Sequence, residues 1–326
     1  MRHRISSKVF NVLIFLVCVH RWASSTEGLA ANLDLSATYL SSITLGVVVW
    51  YATIFRRKDL TALLDKARVL QVPSKEKVIN ALLLINYIML FLISIMFAGV
   101  LKDASAKKFA YGHDIKNIWE KILIISMDCS LTYMAYPLVS NIVAFLYCML
   151  CLRCSSGINI LTEKIKQCRP EDFGLSKQFS ILKSKAVIYD ILLNIQNVFS
   201  FPIFLMILSN VFMCNSIIKW YLYTLSGSFF WNFQAVFFSV NAFVSVAATL
   251  WAAGSVPMEL NKFKEIFHQK THLRLLRYNV KEEMYLKKDL FDEPDFVLSG
   301  CGILSFRRST ILFLIGTLLT YTFLLK

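Results

Sequence analysis

The sequence predicts an all-α polytopic membrane protein with seven transmembrane helices, and three observations lead there. Hydrophobic residues fill 56% of the 326 positions and charged residues only 17%, against about 45–50% and about 25% in soluble domains. With 26 Phe and 13 Tyr, the chain has too little polar surface to cover itself in water. Lys and Arg are absent from six long apolar segments and concentrate between them, as loops flanking membrane spans require. The 11 Gly and six Pro are too few for a disordered or collagen-like chain.

Residues 1–326 read as a single seven-span domain. A spanning helix needs about 20 mostly apolar residues. The first apolar run, residues 9–19, is short for this and lies between Lys8 and His20-Arg21. Residues 1–24 therefore fit two readings: a short first span, or a signal-like segment. In the second, Arg2, Arg4 and Lys8 form the basic start and Ala23-Ser24-Ser25 lies near a cleavage point. Full-length spans follow at 35–55, 78–101, 122–152, 186–213 and 226–256, and an uncharged last span at 309–325.

The basic residues orient these spans. With the N-terminus cytoplasmic, 27 of the 35 Lys and Arg fall on cytoplasmic segments and eight outside, in line with the positive-inside rule. The C-terminus is then extracellular. This polarity is opposite to that of a G-protein-coupled receptor, and the chain has neither an Asp/Glu-Arg-Tyr triplet nor an Asn-Pro-x-x-Tyr run. The net charge of +14 belongs to these segments, where it meets anionic headgroups. Membrane lipids are expected partners; nucleic acid is not.

The fourth, fifth and sixth spans are expected to continue as long cytoplasmic extensions through 152–167, 173–189 and 257–286. Leu260, Phe263 and Phe267 recur there at helical spacing. No internal repeat is visible, which disfavours an inverted-repeat transporter.

Several constellations bear on function. Asp128 is the one acid well inside an apolar run, and a charge at membrane depth is costly unless a cavity or a partner accommodates it. Thr132 shares its helix face four residues on, Tyr133 and Tyr136 flank that face, and Pro137 removes a helix hydrogen bond. Two readings stand: the wall of an outward-facing ligand pocket, or a carboxyl bonded to a neighbouring helix. On the sixth span, Phe230, Gln234, Phe237 and Asn241 form one stripe with Trp231 beside it. Amides between aromatics suit a small organic ligand, and equally an interhelical seam.

The other clusters read as structural. Asp190, Asn194 and Asn197 on the fifth span suit interhelical hydrogen bonding. Cys148, Cys151 and Cys154 lack a fourth metal ligand or a nearby His, and the eight Cys show no disulfide framework. His268 and His272 lie one turn apart without the Glu of a metalloprotease helix. No metal, cofactor or enzymatic centre is expected.

Residues 296–321 resemble the most characteristic stretch of the insect gustatory receptor family. In that family a Phe and a Gly precede a short helical turn, then basic residues; here the matching residues are Phe296 and Gly300, then Phe306-Arg307-Arg308, then an apolar run through Gly316 to Thr320-Tyr321. The basic segment after the second span and the long ends of helices four to six agree in outline, and the related odorant receptors are close competitors. The resemblance implies a seven-helix ligand-gated cation channel at the cell membrane, a homo- or heterotetramer of related receptor subunits. A small organic tastant or odorant would bind in the outer halves of helices two to six, at Asp128, Thr132, Tyr133, Tyr136, Phe230, Trp231, Gln234 and Phe237. The region 257–308 would belong to a cytoplasmic anchor, and Thr317, Thr320 and Tyr321 would lie near the pore. The family motif ends Thr-Tyr, five apolar residues, Gln-Phe, whereas here Lys326 follows five residues after Tyr321. Two expectations follow from that departure: a shortened sequence, or a divergent member acting as a non-conducting partner subunit or scaffold.

Overall fold

The structure is a computed structural model that describes residues 2–29, 33–70, 76–100, 117–223, 229–278 and 296–324. Helix α1 is Arg2–Leu29, α2 Leu33–Phe55, α3 Arg57–Ala67, α4 Glu76–Val100 and α5 Ile118–Tyr133. A widened turn at Met134–Leu138 leads into α6, Val139–Gln167. Then come α7, Leu175–Tyr223, and α8, Phe229–Tyr278; a two-stranded hairpin of β1, Ser299–Gly300, and β2, Leu304–Ser305; and α9, Ser309–Leu324. Among the described residues, four helical stretches are long and apolar enough to cross a membrane, and shorter apolar ones lie at Val9–Ser24, Leu84–Gly99 and Ser309–Leu318. The chain is a multi-pass, almost wholly helical membrane protein.

At 1.5 Å per residue, the 49 residues of α7 and the 50 of α8 each extend roughly 75 Å. A hydrocarbon core is about 30 Å thick, so both helices project well beyond it. They join at one end of the bundle, the α7–α8 end; α6 stops and α7 starts at the other, the α6–α7 end. Helix α6 packs chiefly on α8, and α2 on α7. Helix α1 contributes Ile14 and Val17 to the core and lies against α2 and α5.

The α6–α7 end is aromatic and dry. Phe173, Phe263 and Phe267 are fully buried, with Phe267 in edge contact with Phe173 at 5.3 Å and beside Phe263 at 5.9 Å. Nearby along α6 and α7, Tyr147 meets Phe199 at 5.7 Å and Phe306 at 6.1 Å. Offset and edge-to-face pairs of this kind add to the area they bury.

Two local features differ from the sequence expectation, and one, the break at Pro137, sharpens it. The basic segment after the second span is partly helical: α3 buries Leu63 and Ala67 and leans on α7. The fourth span is broken at Pro137, where Tyr136 takes extended backbone angles inside the widened turn and the Tyr136–Pro137 peptide is cis. Gly46 of α2 faces this turn so closely that a Cβ would lie 2.8 Å from the Ala135 carbonyl oxygen. The segment at 299–305 is an antiparallel hairpin rather than a short helical turn, pairing Ser299 with Ser305 and Gly300 with Leu304. Gly302 at its tip has φ +71°, a left-handed angle that glycine adopts without steric cost.

The hairpin is fastened to α7. Gln196 donates from Nε2 to the Ser299 carbonyl at 2.9 Å and accepts the Ser299 N–H at Oε1 at 2.9 Å. One amide thus satisfies both backbone groups of a strand residue, much as a paired strand would. Ser200 accepts the Cys301 N–H at 2.8 Å, and Leu298 and Phe306 on either side are fully buried.

Candidate functional site

Asp128 is held by α1. Arg21 donates from Nη2 to Asp128 Oδ2 at 2.6 Å and from Nε to Thr132 Oγ1 at 2.7 Å, while His20 Nε2 lies 3.0 Å from Asp128 Oδ1. The Arg21 and Asp128 side chains are only 13% and 15% exposed. Because Asp128 and Thr132 lie four apart on α5, they share a face, and one guanidinium spans both. Pairing of this kind lets two charges sit at membrane depth. Asp128 is thus bonded to a neighbouring helix, α1, through Arg21 and His20.

Tyr133 and Tyr136 continue the polar track. The Tyr133 hydroxyl accepts Gln234 Nε2 at 2.7 Å, and its ring lies 5.2 Å from Phe238. The Tyr136 hydroxyl donates to Asn210 Oδ1 at 2.8 Å, and both residues are buried. Among the described residues, Gln234 Oε1 has no hydrogen-bond partner.

Gln234 also lines a cavity of about 260 Å³ at the α7–α8 end, between α2, α7 and α8. Its described walls include Ser36 and Tyr39 from α2, Ser216 and Trp220 from α7, and Phe238 from α8. Aromatic faces supply contact area, while two hydroxyls and one amide supply orientation, the composition expected of a small-molecule site. No charged side chain lines it among the described residues.

The sequence-predicted residues therefore separate. Gln234 is in the cavity wall, and Tyr133 stands directly behind it. Asp128 and Thr132 belong to the α1–α5 tie, and Tyr136 to a buried contact with α7. Phe237 is half-buried against the core and packs on Phe238 at 5.7 Å. Phe230 and Trp231 fall on α8, but their side chains lie outside the described residues, as does that of Tyr321 on α9. Thr317 and Thr320 are exposed and donate to the carbonyls of Phe313 and Gly316. Sequence reasoning passed over Arg21, Tyr39, Trp220 and Phe238. An Arg at the end of an apolar run was the available signal for the first.

The remaining clusters take structural places. Lys66 of α3 pairs with Asp190 at 2.8 Å, and Arg56 donates to the Asn197 carbonyl. Cys151 and Cys154 are buried free thiols, Cys148 contacts Thr249, and no metal-binding cluster occurs among the described residues. His268 and His272 stack on each other at 6.1 Å.

Neither a protein-family profile nor a curated protein sequence matches the chain. Solved structures do. The insect olfactory receptor OR5 from Machilis hrabei superposes with a TM-score of 0.69 at 15% identity, covering 98% of this chain and 88% of that one. The same receptor in complex with eugenol gives 0.70 at 14% identity, covering 99% and 88%. The chain has the fold of that receptor. At this identity the likeness carries fold, and chemistry has to be argued from the site itself.

Proposed function

We propose that this chain is a subunit of a ligand-gated cation channel in the cell membrane, a chemoreceptor of gustatory type assembled as a tetramer with itself or related subunits. Its N-terminus is cytoplasmic, so the α7–α8 end faces outward and receives a small uncharged organic molecule. The observation that carries this reading is the 260 Å³ aromatic cavity bounded by Tyr39, Trp220, Gln234 and Phe238, with an amide oxygen on Gln234 still unpartnered. The fold likeness to an olfactory receptor solved with eugenol supports a small-molecule ligand, and the sequence of 296–321 supports the gustatory assignment. A ligand gates such a protein by binding the open form better than the closed one. Gln234 is suited to this, because its hydrogen bond to Tyr133 links the cavity to the helix tied to α1.

The test is whole-cell current against a panel of sugars, bitters and odorants, from the chain as given and with Gln-Phe appended, each with surface expression confirmed. A ligand-evoked cation current weakened by Gln234→Leu or Phe238→Ala is the expected result. Silence from both forms overturns the channel reading in favour of a non-conducting partner subunit.

A further inference from the structure

A second, larger cavity of about 580 Å³ lies between α4, α6, α8 and the start of α9. It is separate from the Gln234 cavity, with which it shares no lining residue. One end is formed by Asn86, Asn141 and Asn241, and the other reaches Trp251, ten residues farther along α8. That separation is about 15 Å along a helix. Phe243, Val244 and Trp251 at its rim are 43%, 55% and 56% exposed. They lie inside an apolar span, so the mouth opens sideways toward hydrocarbon rather than toward water. The Arg308 guanidinium stacks on Trp251 at 3.9 Å, which sets this end of the cavity near a membrane–water interface, where Trp and Arg are enriched.

The asparagines form a closed cluster with two loose ends. Asn86 donates to Asn241 Oδ1 at 2.9 Å, and Asn141 donates to Asn86 Oδ1 and Asn241 Oδ1, both at 3.1 Å. Among the described residues, Asn141 Oδ1 and Asn241 Nδ2 are buried without a hydrogen-bond partner. One is an acceptor and the other a donor. A hydroxyl is the simplest group that donates and accepts at once, and the terminal torsion of Asn is broad enough to turn either atom toward it. No charged side chain lines the cavity among the described residues, so neither a phosphate nor an ammonium head finds a counter-charge at the asparagine end.

We infer that this cavity binds a neutral bilayer lipid with a hydroxyl head, which enters sideways between α4 and α8 and bonds to the Asn86–Asn141–Asn241 cluster. The inference does not rest on the channel reading, because binding is read without current. Purified full-length protein in vesicles is irradiated with three photoactivatable lipids in turn: a sterol, a diacylglycerol and a phosphatidylcholine. Labelling of peptides containing Phe145 or Trp251 by the sterol or the diacylglycerol, competed by the unlabelled lipid, is expected, and which of the two labels identifies the source. Asn141→Leu should lower labelling roughly tenfold, as loss of hydrogen bonding to a hydroxyl predicts. Ala248→Trp should block it by filling the space while leaving the asparagines intact. Both variants must elute as the wild-type oligomer, so that a failure to fold is recognised. Equal labelling by phosphatidylcholine, or labelling unmoved by both variants, overturns the inference. So does efficient Val244→Cys disulfide formation between copies, which would mean that a second chain covers the mouth.

Discussion

The two ends of the bundle are built on different principles. At the α6–α7 end, fully buried aromatics fill the space between helices. At the α7–α8 end, two serines, an amide and aromatic side chains line a cavity, with a Tyr–Gln hydrogen bond behind its wall and the Arg21–Asp128 pair beyond that. Aromatic packing has one good arrangement, and interiors packed to such density resist small displacements. A polar contact at a cavity edge has alternatives, because a ligand can replace a hydrogen bond at little net cost. The first end therefore holds the helices in place, and under the function proposed above the second is where an incoming molecule would alter the balance between arrangements.

This contrast is broken most directly by emptying the rigid end. Phe263→Ala should destabilise the protein by about 3–5 kcal/mol, the range for truncating a buried Phe, and remove most surface expression. A heat-stability scan in detergent measures it. At the other end, Arg21→Met takes the guanidinium from Asp128, leaving His20 beside it, and should cost about 3 kcal/mol. Arg21→Met combined with Asp128→Leu should recover most of that loss in the same scan, and failure to recover would mean that the pair does more than neutralise itself. A smaller effect is expected from Gln234→Leu, about 1–1.5 kcal/mol, with half-maximal ligand concentration raised roughly tenfold and stability nearly unchanged. The smallest belongs to Lys66→Ala. The Lys66 and Asp190 side chains are 50% and 57% exposed, so screening holds the loss to less than about 1 kcal/mol.

The spans were legible because each apolar run has a composition that only a bilayer tolerates, and the length of α8 because Leu260, Phe263 and Phe267 keep the helical period past its apolar run. Pro137 marked the break in the fourth span. The α3 helix carried a readable signal in Leu60, Leu63, Leu64 and Ala67, but the surrounding basic residues made it look like a loop. The site was less legible. Arg21 and Asp128 are 107 positions apart, and no local pattern announces which of several basic residues will meet a lone acid. Cavity walls are harder still, since Tyr39, Trp220 and Phe238 are common interior residues whose role depends on the space left between three helices. The hairpin at 299–305 escaped the helical expectation because its pairing depends on Gln196, far away on α7.

That fastening has a mechanical consequence. The hairpin stands on α7 at Gln196 and Ser200, and α9 begins four residues after β2, while along its length α9 touches α7 and α8 only sparsely and leaves Leu312 74% and Phe313 68% exposed. Helix α9 is thus a mast stepped in α7. A small tilt of α7 at its footing would be carried to the far tip of α9 and enlarged by the length of the lever.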